Sequence, residues 1–192
     1  MLIKSFQEYY PDELSHCYGC GTNNHEGHQL KSYWLSNFID NAGDELKACV
    51  NELLSTVSIG KSDDNEANKQ QSIAIFTPSD KHTAIPGFVY GGLLASLIDC
   101  HGTGSASAMA YYNDNRELGS QPVMRFVTAG LNISYLAPTP KGVPLILIGN
   151  YREVKARKIV VEVLVYADNK LCVKGEVIAV LMPESMIDNL NN

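Results

Sequence analysis

The feature that most constrains this chain is a change of period near its middle. In LLASLIDCHGTGSASAMAYYN, the residues Leu93, Leu94, Leu97, Ile98, Ala106 and Met109 recur at three- and four-residue steps, the spacing of a helix face. Ala95, Ser96, Gly102, Gly104, Ser105 and Ala108 fill much of the rest. A helix this rich in small residues can be approached closely on several sides. After Asn115 the pattern switches to period two, in MRFVTAGLNISYLAP, VPLILIGNYREV, RKIVVEVLVYAD and KLCVKGEVIAVLMP. These read as four strands. TPKG, KA and DN separate them, and Asp168-Asn169 is a hairpin signal. One buried helix followed by a meander of strands predicts an α+β fold, an antiparallel β-sheet wrapped around one long central helix.

The flanks are less regular. Residues 1–15 suggest a short N-terminal helix that Pro11 interrupts or closes. HCYGCGTNNHEGH, residues 16–28, is dense in Gly, Asn and His and reads as loop. Between 29 and 54, QLKSYWLSN and GDELKACVNELL are strand candidates with NAG as a turn. Helix rivals strand for the second, since Leu, Ala and Glu favour helices. Residues 55–71 are polar without apolar period and suggest a flexible insertion. SIAIFTP reads as a strand stopped by Pro78. The organisation expected is an N-terminal helix and Gly/Cys-rich loop (1–28), a main domain (29–182) and a frayed polar tail (183–192).

Composition narrows the function classes. Lys plus Arg number 15 against 21 Asp plus Glu, a formal net charge of −6. That balance argues against nucleic acid, which needs a basic footprint, while leaving room for a small anionic substrate. No apolar run is long enough to span a membrane. MLIKSFQEYYPDEL lacks the apolar core and cleavage site of a secretory signal. The five cysteines have no disulfide-scaffold spacing, so reduced thiols and a cytoplasmic location are expected.

Asp99 stands inside the apolar helix, between Ile98 and Cys100. A desolvated carboxylate has a raised pKa and suits nucleophilic or general-base work; a carboxylate bonded to a nearby hydroxyl is the bland alternative. Gly91 and Gly92 fall where the helix begins. Its unpaired N–H groups and dipole favour negative charge, although a tight turn alone also calls for glycine. Cys100 and His101 point about 100° apart on a helix, so they do not form a Cys–His pair. Cys17, Cys20, His25 and His28 have the shape of a compact zinc site, but the gap between the pairs is very short; no metal is assigned.

The strings CYGCGTNNHEGHQL, HTAIPGFVYGGLLASLID, VTAGLNISYLAPTP and VKARKIVVEVLVYADNKLC resemble the hotdog-fold acyl-CoA thioesterases of the PaaI-like and mammalian THEM-like groups, over roughly residues 16–182. The family pattern HGG-x(6)-D followed by VT-x-x-L-x-I-x-YL-x-P is specific when both parts occur in order. The resemblance implies the hotdog fold and Asp99 as catalytic carboxylate, with Gly91 and Gly92 polarising the thioester carbonyl and Thr128 assisting. It also implies that Asn132 and Tyr135 line the substrate cleft and that His82 orients substrate or water. No cofactor is implied beyond the coenzyme A of an acyl-CoA substrate. Lys155, Arg157 and Lys158, at a hairpin turn, could clamp its phosphates or be a solvated turn. Two positions depart from the pattern: Tyr90 replaces the histidine of HGG, and Ala84 stands where some relatives have Asn.

Gly91 and Asp99 are eight residues apart, about 12 Å along a helix axis. One carbonyl cannot touch both in one chain, so a shared site predicts a homo-oligomer, a dimer or pairs of dimers. Hydrolysis of an acyl-CoA thioester to free acid and CoA is the leading expectation. A non-catalytic acyl-CoA or acyl-carrier binder is the alternative that Tyr90 and Ala84 favour. A hotdog dehydratase is a third, weakened because Tyr90 removes the motif's histidine. Phe88, Met109, Tyr111 and Tyr112 suggest an apolar acyl tunnel, which burial alone would equally explain.

Overall fold

The structure is a computed structural model that describes residues 3–57 and 70–188. Two 3-10 turns, Phe6–Tyr9 and Asp12–Leu14, take the place of the expected N-terminal helix. Pro11, between them, offers no amide hydrogen to continue the first. Strand β1 is Ser32–Trp34, followed by helix α1, Leu35–Asn41, and helix α2, Asp44–Thr56. The strand reading of GDELKACVNELL is thereby corrected to helix. Val50 and Leu53 are fully buried and Cys49, Leu54 and Val57 pack beside them, a three-to-four-residue spacing that overrides the short alternation at the segment's centre. Likewise β1 stops at Trp34 because Leu35 and Phe38 bury on one helical face.

The suggested insertion begins inside α2, which runs to Thr56; its residues 58–69 lie outside the described residues. Strand β2 is Ser72–Phe76 and the central helix α3 is Gly91–Asn113. Four strands follow: β3 Phe126–Tyr135, β4 Leu145–Lys155, β5 Lys158–Ala167 and β6 Lys170–Leu181. The short helix α4, Glu184–Asp188, opens the polar end, and residues 189–192 lie outside the described residues. No described helix is long and apolar enough to cross a membrane.

The sheet is antiparallel throughout its pairings, in the order β1-β2-β4-β5-β6-β3. The meander therefore holds for β4, β5 and β6 only. β3 pairs with β6 instead of β4 and forms an edge. Asp168 and Asn169, at φ 50° and 57°, make the two-residue turn with both residues left-handed that a tight hairpin prefers.

Helix α3 lies against one face of the sheet and buries Leu93, Leu97, Ile98, Ala106 and Met109 with Val161, Val163, Val177 and Ala179. The fit is reciprocal. A Cβ on Gly102 of the helix would come within 2.5 Å of Val177 in β6, and a Cβ on Gly175 of β6 within 2.4 Å of Ile98 in the helix. Each side has no side chain where the other is bulky, which lets the axes approach. Helices α1 and α2 cover the opposite face, packing Phe38, Val50 and Leu53 over Ile73 of β2 and Ile146 and Ile148 of β4. This is the hotdog arrangement with an added convex layer.

Candidate functional site

Helix α3 and edge strand β3 run antiparallel to one another, so one end of the helix meets one end of the strand. Asp99, half-buried on α3, accepts a short hydrogen bond from the Thr128 hydroxyl of β3. The ladder between β3 and β6 shifts register between Thr128 and Gly130, a bulge of the kind that re-aims a neighbouring side chain. Burial pushes the Asp99 carboxyl above its ordinary value, the Thr128 bond opposes this, and the nearby Cys17 charge adds to it while Arg125 offsets it. A carboxylate so placed holds a proton more tightly than a surface aspartate does. It can attack an acyl carbon or take a proton from water.

The other end of the pair is the helix N-terminus. Tyr90 is the N-cap of α3, and Gly91 and Gly92 contribute its first amides, which have no acceptor within the helix. Both glycines are roofed by tyrosines. A Cβ on Gly92 would lie 2.6 Å from the Tyr90 ring, and one on Gly91 3.1 Å from the Tyr135 hydroxyl. Tyr135 also donates to the Gly91 carbonyl at 2.9 Å. The Tyr90 amide donates to the His82 carbonyl at 3.0 Å. His82 Nδ1 accepts from the Ser79 amide at 3.0 Å, which leaves the proton on Nε2. Burial holds this imidazole below its usual pKa.

Two cavities flank this end. One, of about 700 Å³, is lined by Tyr18, His25, His28, Phe76, His82 and Tyr90. The other, of about 430 Å³, is lined by Ile85, Phe88, Leu94, Leu136 and Pro138 among others. Of the four residues expected to form an apolar tunnel, only Phe88 lines it. Met109 is core, the Tyr111 hydroxyl binds the Met124 amide, and Tyr112 lies against Trp34.

The remaining expected site residues are spread along the sheet. Asn132 donates to Glu176 of β6 at 3.1 Å. Lys155 and Lys158 are not free cations: both pair with Glu153, whose carboxyl is pulled down to about 2, chiefly by its bond to Lys155. Arg157, in the turn between β4 and β5, has no ion pair among the described residues. Lys158 pairs with Val180, which in turn pairs with Val127. The cationic turn is therefore two strand spacings, about 10 Å, from the Thr128 end of β3.

Among the thiols and imidazoles, the four residues weighed as a zinc set do not converge. His25 meets Gln29, and His28 packs on Tyr18, Phe76 and His82. Cys100 takes their place, with its sulfur 3.7 Å from that of Cys17. His101 turns away into a buried network with Ser32 at 2.9 Å and Ser72 at 3.2 Å. Sequence reasoning missed Arg125, whose Nη1 is enclosed without a hydrogen-bond partner among the described residues. A lone arginine opening the apolar strand MRFV was the available signal.

The family model described as the thioesterase superfamily matches residues 86–174. A thioesterase superfamily protein from Shewanella loihica PV-4 is 57% identical over 59% of this chain and 84% of that one, with a TM-score of 0.49. A thioesterase from Haemophilus influenzae is 18% identical over 69% of this chain and 87% of its own, TM-score 0.49. Another thioesterase superfamily structure is 23% identical over 86% of this chain and 63% of that chain, TM-score 0.54. No curated protein matches the chain.

Proposed function

Because the chain belongs to the thioesterase superfamily, we propose that it hydrolyses an acyl-CoA thioester to free acid and CoA, in the manner of the PaaI-like and THEM-like groups. The observation that carries the reading is the Asp99 carboxylate, desolvated on α3 and held by Thr128. In it Asp99 acts as nucleophile or general base. Thr128 fixes the carboxylate and can pass its hydrogen bond to the attacking water. The first amides of a partner's α3, at Gly91 and Gly92, polarise the carbonyl, where developing negative charge gains most from preorganised donors. The apolar cavity beside Phe88 and Leu136 suits an apolar acyl group, and His82, Tyr90, Asn132 and Tyr135 border the thioester's path. The test is release of CoA from a panel of acyl-CoAs of increasing chain length. Turnover on none of them, with binding retained, selects the non-catalytic binder instead. The Tyr90 ring over Gly92 is the feature that favours that second reading.

The edge position of β3 supports the shared site. Its outer side is unpaired among the described residues, and Leu131 and Tyr135, with Leu136 just beyond, are exposed along it. Such an edge invites pairing with another strand. Antiparallel pairing with a second copy carries the Gly91–Tyr135 end of one chain to the Asp99–Thr128 end of the other. The expected result by sedimentation is a dimer or larger even-numbered oligomer; a fully active monomer would refute the shared site.

Arg157→Ala is expected to raise KM for acyl-CoA about fivefold, near 1 kcal/mol for one exposed ion pair, with kcat nearly unchanged. A contact on the remote phosphates acts equally in ground and transition states. The effect should shrink at high salt, since exposed charges are screened over about 8–10 Å, and vanish with a pantetheine thioester lacking those phosphates. An equal loss on the truncated substrate would place the outer end of CoA elsewhere.

A further inference from the structure

The loop that carries Cys17 and Cys20 is held in shape by its own backbone hydrogen bonds. Gly21 N–H donates to the Cys17 carbonyl at 2.7 Å, His28 N–H to that of Tyr18 at 2.7 Å and Leu30 N–H to that of Gly19 at 3.0 Å. The loop touches the helix at Gly19, where a Cβ would fall 2.2 Å from the Cys100 sulfur. Glycine therefore lets a third thiol join the two of the loop. The sulfurs of Cys17, Cys20 and Cys100 all lie within 4.8 Å of one another. Cys17 faces solvent, while Cys20 and Cys100 are buried behind it.

Arg125 lies against this cluster. Its guanidinium stacks 3.9 Å from the centre of the half-buried Tyr10 ring, and no carboxylate is within ion-pair distance of it among the described residues. Both its Nη1 and the Tyr10 hydroxyl are enclosed without hydrogen-bond partners among the described residues. An enclosed cation without a carboxylate is costly, and the groups beside it that can supply negative charge are the thiols. One thiolate shared among three sulfurs satisfies it. The contact between the Cys17 and Cys100 sulfurs makes Cys17 the acidic member, well below the usual thiol range, and drives Cys100 up. An exposed thiolate backed by a protonated thiol is the arrangement of a redox-reactive pair.

We propose that Cys17, Cys20 and Cys100 form a site of reversible oxidation, in which Cys17 reacts with a hydroperoxide and Cys100 closes a disulfide on it, next to Asp99. In the first step the Cys17 sulfur attacks the outer peroxide oxygen and the O–O bond breaks. The departing alkoxide or hydroxide takes a proton from water, leaving Cys17 as a sulfenic acid. In the second step the Cys100 sulfur attacks the Cys17 sulfur and the S–O bond breaks. The leaving hydroxide takes the Cys100 proton and departs as water. Two electrons pass from two sulfurs to one peroxide. The sulfurs move from 3.7 Å to a bonded distance of about 2.0 Å. Cys20 is the reserve thiol that keeps Arg125 in contact with sulfur. A metal dication fits this cluster less well: the described residues offer three sulfurs and no fourth donor, and Arg125 already occupies the flank with positive charge.

The experiment treats the full-length protein with hydrogen peroxide or cumene hydroperoxide, counts free thiols, and maps linked peptides after acid-quenched alkylation. Two of the five thiols should disappear, a Cys17–Cys100 peptide should form, and a thiol reductant should restore both. Cys17→Ser should slow the loss at least about tenfold, because the reactive thiolate is gone. Cys100→Ser should leave a sulfenic acid at Cys17 that dimedone traps, and Cys49→Ser should behave like wild type. Should Cys100→Ser misfold, dimedone trapping in the wild-type protein at early times gives the same answer. Loss of thiols at Cys49 or Cys172 first, a Cys17–Cys20 link in place of Cys17–Cys100, no peroxide reaction at all, or stoichiometric metal in the purified protein would each overturn the proposal.

Discussion

Asp99→Asn is expected to lower kcat for acyl-CoA hydrolysis by about 10²-fold or more, the range that a positioned acid–base group supplies. The substitution keeps the volume, and the amide oxygen can still accept the Thr128 hydrogen bond. What disappears is the negative charge that attacks carbon or withdraws a proton. Stability should move the other way. The folded state raises the Asp99 pKa, chiefly by burial, so its charged form is disfavoured in the fold. At neutral pH the charge therefore subtracts from stability, and the neutral amide should melt no lower than wild type. The acid limb of kcat/KM in the wild type should lie above the ordinary carboxylate range, with activity lost as pH falls and Asp99 takes up its proton. CoA release by wild type and variant across pH checks both claims. Wild-type turnover in Asp99→Asn would remove Asp99 from the mechanism.

Thr128→Ala separates positioning from chemistry. Removing the hydroxyl leaves Asp99 desolvated without its donor, which drives its pKa further up. The acid limb should move to higher pH while the plateau falls by less than in Asp99→Asn. An unshifted limb would show that the Thr128 bond does not tune the carboxylate.

The elements legible in the sequence were those long enough for one apolar spacing to dominate the competing one. Helix α3 reads from the helical steps of Leu93, Leu94, Leu97 and Ile98 and again of Ala106 and Met109, with a middle from Cys100 to Ser105 that is buried without a period, and β3 to β6 read as strands from β-branched, apolar runs of ten or more residues. GDELKACVNELL was ambiguous for a physical reason: Leu46, Ala48 and Val50 alternate while Cys49, Val50 and Leu53 keep helical spacing. Only the convex face of the sheet, which Val50 and Leu53 cover, decides between them. The place of β3 at the edge was not legible, since strand order depends on which pairings close the sheet and not on any one strand.

The site divides in the same way. Asp99 stood out by its place in the apolar helix and was strengthened by the resemblance, Thr128 came through the resemblance alone, and their contact spans 29 positions of chain. Glu153 stands two residues before Lys155 on one strand face, so its capture of the lysines was available from the sequence and was passed over in favour of the positive charges. The meeting of Cys17 with Cys100, 83 positions apart, left no local trace. Their contact is set by the missing side chain of Gly19 and by the course of the loop over α3.

The second large effect concerns a histidine that takes no part in the proposed chemistry. His101 is fully buried on α3. Its Nδ1 faces the Ser32 hydroxyl and its Nε2 that of Ser72, which also meets Ser105 at 2.6 Å. Gln7 completes the network, its Nε2 donating to the Ser32 hydroxyl at 3.1 Å, and Tyr151 donates to the Ser105 carbonyl at 3.1 Å. No carboxylate faces the ring among the described residues, and burial drives its pKa down to about 3. The unfolded chain protonates this histidine near pH 6.5 and the folded chain does not. Below that value the unfolded state binds the extra proton, so the stability that neutral His101 carries is complete above pH 6.5 and drains as pH falls toward 3. Between pH 7.5 and pH 5 the loss should reach about 2 kcal/mol, at 1.36 kcal/mol per unit of pH below 6.5. Urea unfolding at the two pH values should show that excess in wild type and lack it in His101→Gln, whose amide does not titrate. If the variant fails to fold, the ring proton resonances of His101 in the wild-type protein should stay fixed across the same range. A resonance that titrates near pH 6.5 would mean that the ring reaches water and that the buried serine network does not hold it neutral.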